Sequence, residues 1–254
     1  MNSIKTSLNI KIASLFPFYT LCKKESICTL LSPFCPLLLV VTIFASSLSL
    51  LANNYWLSAG LSTLKNYFSS IPLILIFTLP MLTMNVWADE RKQNTSMLLL
   101  SLPISSRTIV YAKYTARLLV WLLMLLLLML PPLSLIFLLQ IEVASFFLSY
   151  FVAFLLGASL LALSQVFSFV SIHPAINFLL SFLSIIVLNI TQVFSPLFHK
   201  ANLFWRILEN IFSYISFSTH FENASKGIFD SRDIVFYLVV LLFALEVNVF
   251  IVKE

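Results

Sequence analysis

Apolar runs about 20 residues long, divided by short polar stretches, dominate the chain from residue 33 onward. A hydrocarbon core of about 30 Å takes about 20 helical residues to cross. The runs predict six such spans, at about 33–52, 71–87, 108–139, 144–170, 175–198 and 234–251. A membrane barrel would alternate apolar and polar residues, whereas residues 118–130, LLVWLLMLLLLML, are apolar in every register. The expected fold is therefore an all-α polytopic membrane protein with six transmembrane helices.

Residues 1–30 have a different pattern. Ile4, Leu8, Ile12, Leu15, Phe16 and Tyr19 fall at helical spacing, with Lys5 and Lys11 elsewhere on the wheel, which predicts an N-terminal amphipathic helix lying in the headgroup region. Pro17 is expected to bend or end it. A signal peptide is the competing reading, but the first long apolar block begins only at Pro33 and has the length of a full span, so we read an uncleaved arm. Pro80 predicts a kink in the second span, and Pro131 with Pro132 a bend at the far end of the third. Lys113 and Arg117, in the first turns of that span, are expected to project into the interface. The turn Ser171-Ile172-His173-Pro174 makes the fourth and fifth spans antiparallel neighbours. Residues 199–233 mix charges with aromatics and predict an external re-entrant or interfacial segment.

The stretch around which this pattern is organised is the loop 88–107. It begins with Asp89, Glu90, Arg91 and Lys92, passes Asn94-Thr95, and continues as a Leu cluster from Met97 to Leu102 that Pro103 stops. An apolar helix this short cannot cross a bilayer. It lies flat, or buries its face in another protein.

Composition narrows the class further. With 60% hydrophobic and 10% charged residues, against about a quarter charged in a soluble domain, little is left for a soluble unit. Cys22, Cys28 and Cys35 lack CxxC spacing and neighbouring His, and read as small apolar fillers. The net charge of +5 is spread around the spans, so topology explains it better than nucleic acid does. Placing the N-terminus inside puts Lys5, Lys11, Lys23, Lys24, Arg91, Lys92, Arg107, Lys113, Arg117 and Lys253 in the cytoplasm. The other Lys and Arg of the 15 are then outside. The positive-inside rule thus predicts both termini and the loop 88–107 to be cytoplasmic.

The order of features in the loop resembles the type-two ATP-binding-cassette (ABC) transporter permeases, through Glu90-Arg91-Lys92, Asn94-Thr95, Leu98-Leu99-Leu100 and Leu102-Pro103-Ile104-Ser105. The last quarter is similar to the gliding-motility-associated branch of that family, through His220-Phe221-Glu222, Gly227-Ile228-Phe229-Asp230 and Arg232-Asp233. The chain departs from the family pattern where a Gly is Asn94 and an acidic residue is Met97. Asn, like Gly, tolerates the left-handed backbone conformation. The resemblance implies an exporter permease in a bacterial inner membrane, paired with a second copy or a related permease. It also implies a separate ATPase subunit that grips Glu90, Arg91, Thr95, Leu98, Leu99, Leu102 and Pro103. With 3 Gly, the chain has no GxxxxGK[ST] phosphate loop of its own.

Within the spans, Gln165, Asn177, Asn189 and Gln192 either line a translocation path or bond helix to helix. Glu246 faces a substrate path, or a dimer interface, or snorkels to the headgroups, the last two being favoured. In the external segment, where the resemblance singles out His220, Glu222, Gly227 and Asp230, His220 is expected to cap or anchor the helices and Gly227 to form a turn or helix stop. No catalytic, metal or cofactor site is indicated. Two other functions fit the composition, a structural or assembly protein anchoring a surface complex and an intramembrane enzyme. A co-purifying ATPase whose rate responds to transport separates the exporter from both.

Overall fold

The computed structural model describes residues 2–52, 65–101, 104–139, 143–198, 216–225 and 230–253. Ten helices lie within them. They are α1 (Asn2–Leu31), α2 (Phe34–Ala52), α3 (Lys65–Thr83), α4 (Ala88–Lys92), α5 (Thr95–Ser101), α6 (Ser106–Leu139), α7 (Val143–Phe167), α8 (Pro174–Phe198), α9 (Phe217–Ser225) and α10 (Ser231–Lys253). Helices close their own backbone hydrogen bonds, which a lipid environment requires.

Five of these segments are long and apolar enough to cross a membrane: Phe34–Leu51, Tyr67–Lys92, Ser106–Leu133, Val143–Phe167 and Ser231–Lys253. The sequence expectation of six spans is corrected to five. The stretch expected at 175–198 falls in α8, of which Pro174–Asn189 counts among the described residues as a shorter apolar helix and not as one of the five. Asn177, Ser181, Ser184 and Asn189 interrupt its apolar character.

The bundle is built around α7, which packs against α3, α6, α8, α9 and α10. Of its span 72% is buried, against 28% for the spans of α2 and α10, so α7 is the core and those two are its rim. The rim helices turn Leu37, Val40, Phe44, Leu48 and Leu51, and Val235, Leu238, Leu242 and Phe243, outward. That spacing is one face of a helix. Small residues let α7 approach its neighbours. A Cβ on Gly157 would overlap the Trp121 indole, whose Nε1 donates to the Phe154 carbonyl at 3.4 Å.

Neither Pro17 nor the Pro131-Pro132 pair ends its helix, since α1 and α6 run through them. The physical reason is visible for Pro132. Lacking an N–H, it leaves the Leu128 carbonyl without its helical partner. Tyr67 and Tyr150 donate their hydroxyls to that carbonyl at 2.7 and 3.0 Å. Their oxygens are 3.1 Å apart, deep among Phe68 and Phe146. Either tyrosine alone still satisfies the carbonyl. Tyr67→Phe or Tyr150→Phe should therefore be nearly silent, while the double substitution should lower stability by about 1–3 kcal/mol, the cost of a buried orphan acceptor. A thermal midpoint in detergent unchanged in the double variant would refute this.

Candidate functional site

The loop between α3 and α6 folds into two short helices set at a corner. Thr83 closes α3 by donating to the Leu79 and Pro80 carbonyls at 3.2 and 3.3 Å. The chain turns over residues 84–87 into α4. At the corner between α4 and α5, Asn94 takes φ 57°, the left-handed conformation expected of a Gly substitute. Thr95 does not cap α5. Its hydroxyl donates back to the Glu90 carbonyl at 3.3 Å, so it satisfies the end of α4. Ser105 caps α6 by accepting from the Thr108 amide at 3.2 Å.

The expected contact residues separate into two sets. Glu90 and Arg91 turn inward. Arg91 Nη1 donates to the Phe169 carbonyl in the turn after α7, and its guanidinium stands 4.8 Å from the Phe169 ring centroid. Glu90 Oε1 lies 2.7 Å from Lys113 Nζ. Leu98 turns outward at 68% exposure, beside Met97 at 80%. Leu99 is half-buried against the core. Leu102 and Pro103 lie outside the described residues.

Lys113 and Arg117 do not project into the interface as their sequence position suggests. Both are buried. Lys113 Nζ also donates to Glu25 Oε1 at 3.4 Å and to the Val86 carbonyl at 3.0 Å, and stands 4.7 Å over the Trp87 ring. Arg117 Nη1 is 2.6 Å from Glu25 Oε2. One carboxylate of α1 thus links two cations of α6, and one of those cations links back to α4. Burial on its own would raise the Glu25 pKa, but Lys113 and Arg117 beside it outweigh burial and hold the carboxyl below the ordinary carboxylate range. Sequence reasoning missed Glu25, whose only signal was an acidic residue closing a basic arm.

The polar residues expected within the spans bond mostly to backbone carbonyls and neighbouring helices. Asn177 closes the α7–α8 turn, donating to the Ser168 and Ser171 carbonyls at 3.0 and 2.9 Å and accepting from the Ser171 amide at 2.9 Å. Asn189 donates to the Ile185 carbonyl at 2.9 Å and accepts from Ser218 of α9 at 2.8 Å. Gln165 is buried, with Nε2 3.4 Å from the Val110 carbonyl. The Gln192 side chain lies outside the described residues. Glu246 is not deep in the bundle. It sits exposed at the α4–α5 end, 3.1 Å from Arg107 Nη2. Asn248, two residues further along α10 and fully buried, was not singled out from sequence; its amide atoms have no partner among the described residues.

At the opposite end, His220 Nδ1 and Asp233 Oδ1 are 2.6 Å apart, and the His220 ring stacks on Phe236, so the pair ties α9 to α10. Asp230 Oδ1 accepts from the Arg232 amide at 2.9 Å at the start of α10. Glu222 lines a groove of about 610 Å³ between α3, α8 and α9. Gly227 lies outside the described residues. Among the described residues no group of three or more His, Cys, Asp or Glu is placed to hold a metal.

A helical bundle with five segments long and apolar enough to cross a membrane and a short two-helix handle at one end has the make-up of a multi-pass membrane protein. Residues 49–251 match the family described as ABC-2 family transporter protein, and the chain belongs to that family. Members of this family generally partner with a nucleotide-binding ATPase subunit. The match is to the family as a whole and does not single out the gliding-motility branch. No curated protein matches the sequence.

Removing one partner of a buried ion pair costs about 3–5 kcal/mol, whereas replacing both with apolar residues is often neutral. Glu25→Gln should destabilise the protein by that order, and Glu25→Met with Arg117→Met should recover most of it, read as thermal midpoint and protease resistance of α1. Because the folded carboxyl is depressed, its contribution is complete above the ordinary carboxylate range and lost as pH falls through the lowered value. Docking of α1 that weakens at neutral pH would contradict the assignment.

Proposed function

We propose that the chain is the membrane-spanning subunit of an ABC exporter in a bacterial inner membrane, driven by a separate ATPase subunit seated on α5. The observation that carries this reading is the handle itself. Met97 and Leu98 stand exposed on a short helix whose base is pinned by Glu90 to Lys113 and by Arg91 to Phe169. An apolar tip on a fixed mount is what a partner needs if it is to push on a membrane protein, since force applied to a loose loop dissipates.

The handle faces the cytoplasm in this reading. The excess of Lys and Arg near it supports that orientation. Glu25 of α1 and Glu246 of α10 both reach α6 at the handle end, so the end of the arm and the end of α10 share that side. A second copy or a related permease completes the transporter, as the family resemblance implies. The finer kinship with the gliding-motility branch rests on His220-Phe221-Glu222, Gly227 to Asp230 and Arg232-Asp233. Glu90 and Arg91 act in this reading as the mount, and the partner's contact falls on Met97, Leu98 and their exposed neighbours Lys92 and Gln93.

Leu98→Asp should leave the fold intact and abolish co-purification of the ATPase subunit, together with transport-linked stimulation of ATP hydrolysis in liposomes. Leu99→Asp, at a half-buried position, should also lower the thermal midpoint. If Leu98→Asp kept full binding and stimulation, α5 would not be the docking point. A passive anchor for a surface complex would leave the ATPase rate unchanged in the wild type.

A further inference from the structure

A pocket of about 220 Å³ opens at the handle end between α1, α2, the end of α3 and α6. Three buried polar atoms on residues that line it have no hydrogen-bond partner among the described residues: Asn85 Oδ1, Glu90 Oε2 and Arg117 Nε. An orphaned buried donor or acceptor costs about 1–3 kcal/mol. Two acceptors and one donor around one cavity therefore specify what fits there.

The charges lining the pocket balance, with Lys24, Lys113 and Arg117 against Glu25, Asp89 and Glu90. A simple anion or cation gains little from such a lining, but a zwitterion with separated charges does. Phe34, Leu38, Met81 and Leu82 add an apolar wall beside Thr29 and Ser32. Phe34 opens the first apolar span, so the pocket lies at the edge of the hydrocarbon layer. Its volume is several times the roughly 30 Å³ share of one water molecule.

We propose that this pocket binds the headgroup of an amino-phospholipid of the handle-side leaflet. The primary ammonium donates to Asn85 Oδ1 and Glu90 Oε2. The phosphate accepts from Arg117 Nε and from the exposed Lys24, and the glycerol end lies along Phe34, Leu38 and Met81. A trimethylated choline headgroup has no N–H to donate, and a glycerol headgroup has no cation, so both leave the acceptors unpaired. The site uses Glu90 and Arg117 of the ion network but does not depend on the transport reading.

Native mass spectrometry of the full-length protein in detergent tests it, with phosphatidylethanolamine, phosphatidylcholine and phosphatidylglycerol of the same chains. The wild type should retain phosphatidylethanolamine about tenfold better than either other lipid, as expected for hydrogen bonds to a charged group. Soluble phosphoethanolamine should compete only at much higher concentration if the acyl chains contribute; competition at equal concentration would assign the pocket to a free solute and overturn the lipid assignment. Asn85→Leu should erase the preference while phosphatidylcholine retention stays unchanged. Should that variant fail to fold, Lys24→Ala, at an exposed lining position assigned to the phosphate, should weaken retention of phosphatidylethanolamine, and unchanged retention would overturn the assignment. Equal retention of the three lipids by the wild type, as for a water-filled pocket, would overturn the proposal.

Discussion

Four charged side chains, Glu25, Glu90, Lys113 and Arg117, meet within salt-bridge distance at one end of the bundle, and the placement of everything around them depends on that meeting. Charges withdrawn from water are tolerated only when paired and hydrogen-bonded. Lys113 and Arg117 sit one turn apart on α6 with their heads buried, so two carboxylates must be brought to them. One comes from α1 and the other from α4, which fixes the arm and the handle against the same face of α6. The Trp87 ring under Lys113 adds a cation–π contact and closes the cluster on its apolar side. Hydrophobic packing would hold α1 against α6 in many registers. A two-point ionic contact holds it in one.

The same accounting governs the bundle interior, where backbone and amide groups must find partners without water. The Leu128 carbonyl freed by Pro132 finds two tyrosines, and the open carbonyls after α7 find Asn177. Buried serines such as Ser159, Ser164 and Ser168 turn their hydroxyls back to carbonyls three residues earlier in their own segments. These residues look like a polar path when read along the sequence, yet most are spoken for by the backbone beside them. Gln165 Oε1 and the Asn248 amide are without partners among the described residues, on two helices that pack together.

How much of this was legible follows from what hydropathy measures. The all-α membrane class could be read from residues, because apolar length is a local signal, as is an Asn at the left-handed corner of the loop. The expected sixth span is not among the five, since Asn177, Ser181, Ser184 and Asn189 interrupt the apolar run of α8; Asn189 bonds to Ser218 of another helix, a partner 29 residues away that no hydropathy window sees. Lys113 and Arg117 failed in the same way. A cation near a span end reads as interfacial, and only the carboxylate of Glu25, about 90 residues distant in sequence, makes burial the better state. Within the handle, composition marked the leucines but could not tell Leu98 from Leu99, since which side faces out is set by where α4 is pinned.

That pinning also constrains how force could travel. If a partner presses on α5, the push reaches α4 through a corner stiffened by the Asn94 turn and the Thr95 hydroxyl bond. From α4 it divides, through Glu90 to α6 and through Arg91 to the turn between α7 and α8. Both receivers are rigid, α6 over 34 residues and α7 as the core of the bundle. Between α3 and α4 the regular helix gives way to a turn at residues 84–87. A load on the handle would therefore move α6 and α7 as a body relative to α3, and the interface where such sliding shows is the α3–α8–α9 groove, lined by Phe77, Phe182 and Glu222. In the proposed reading the handle is a lever joined to α6 by Glu90 and to the turn between α7 and α8 by Arg91.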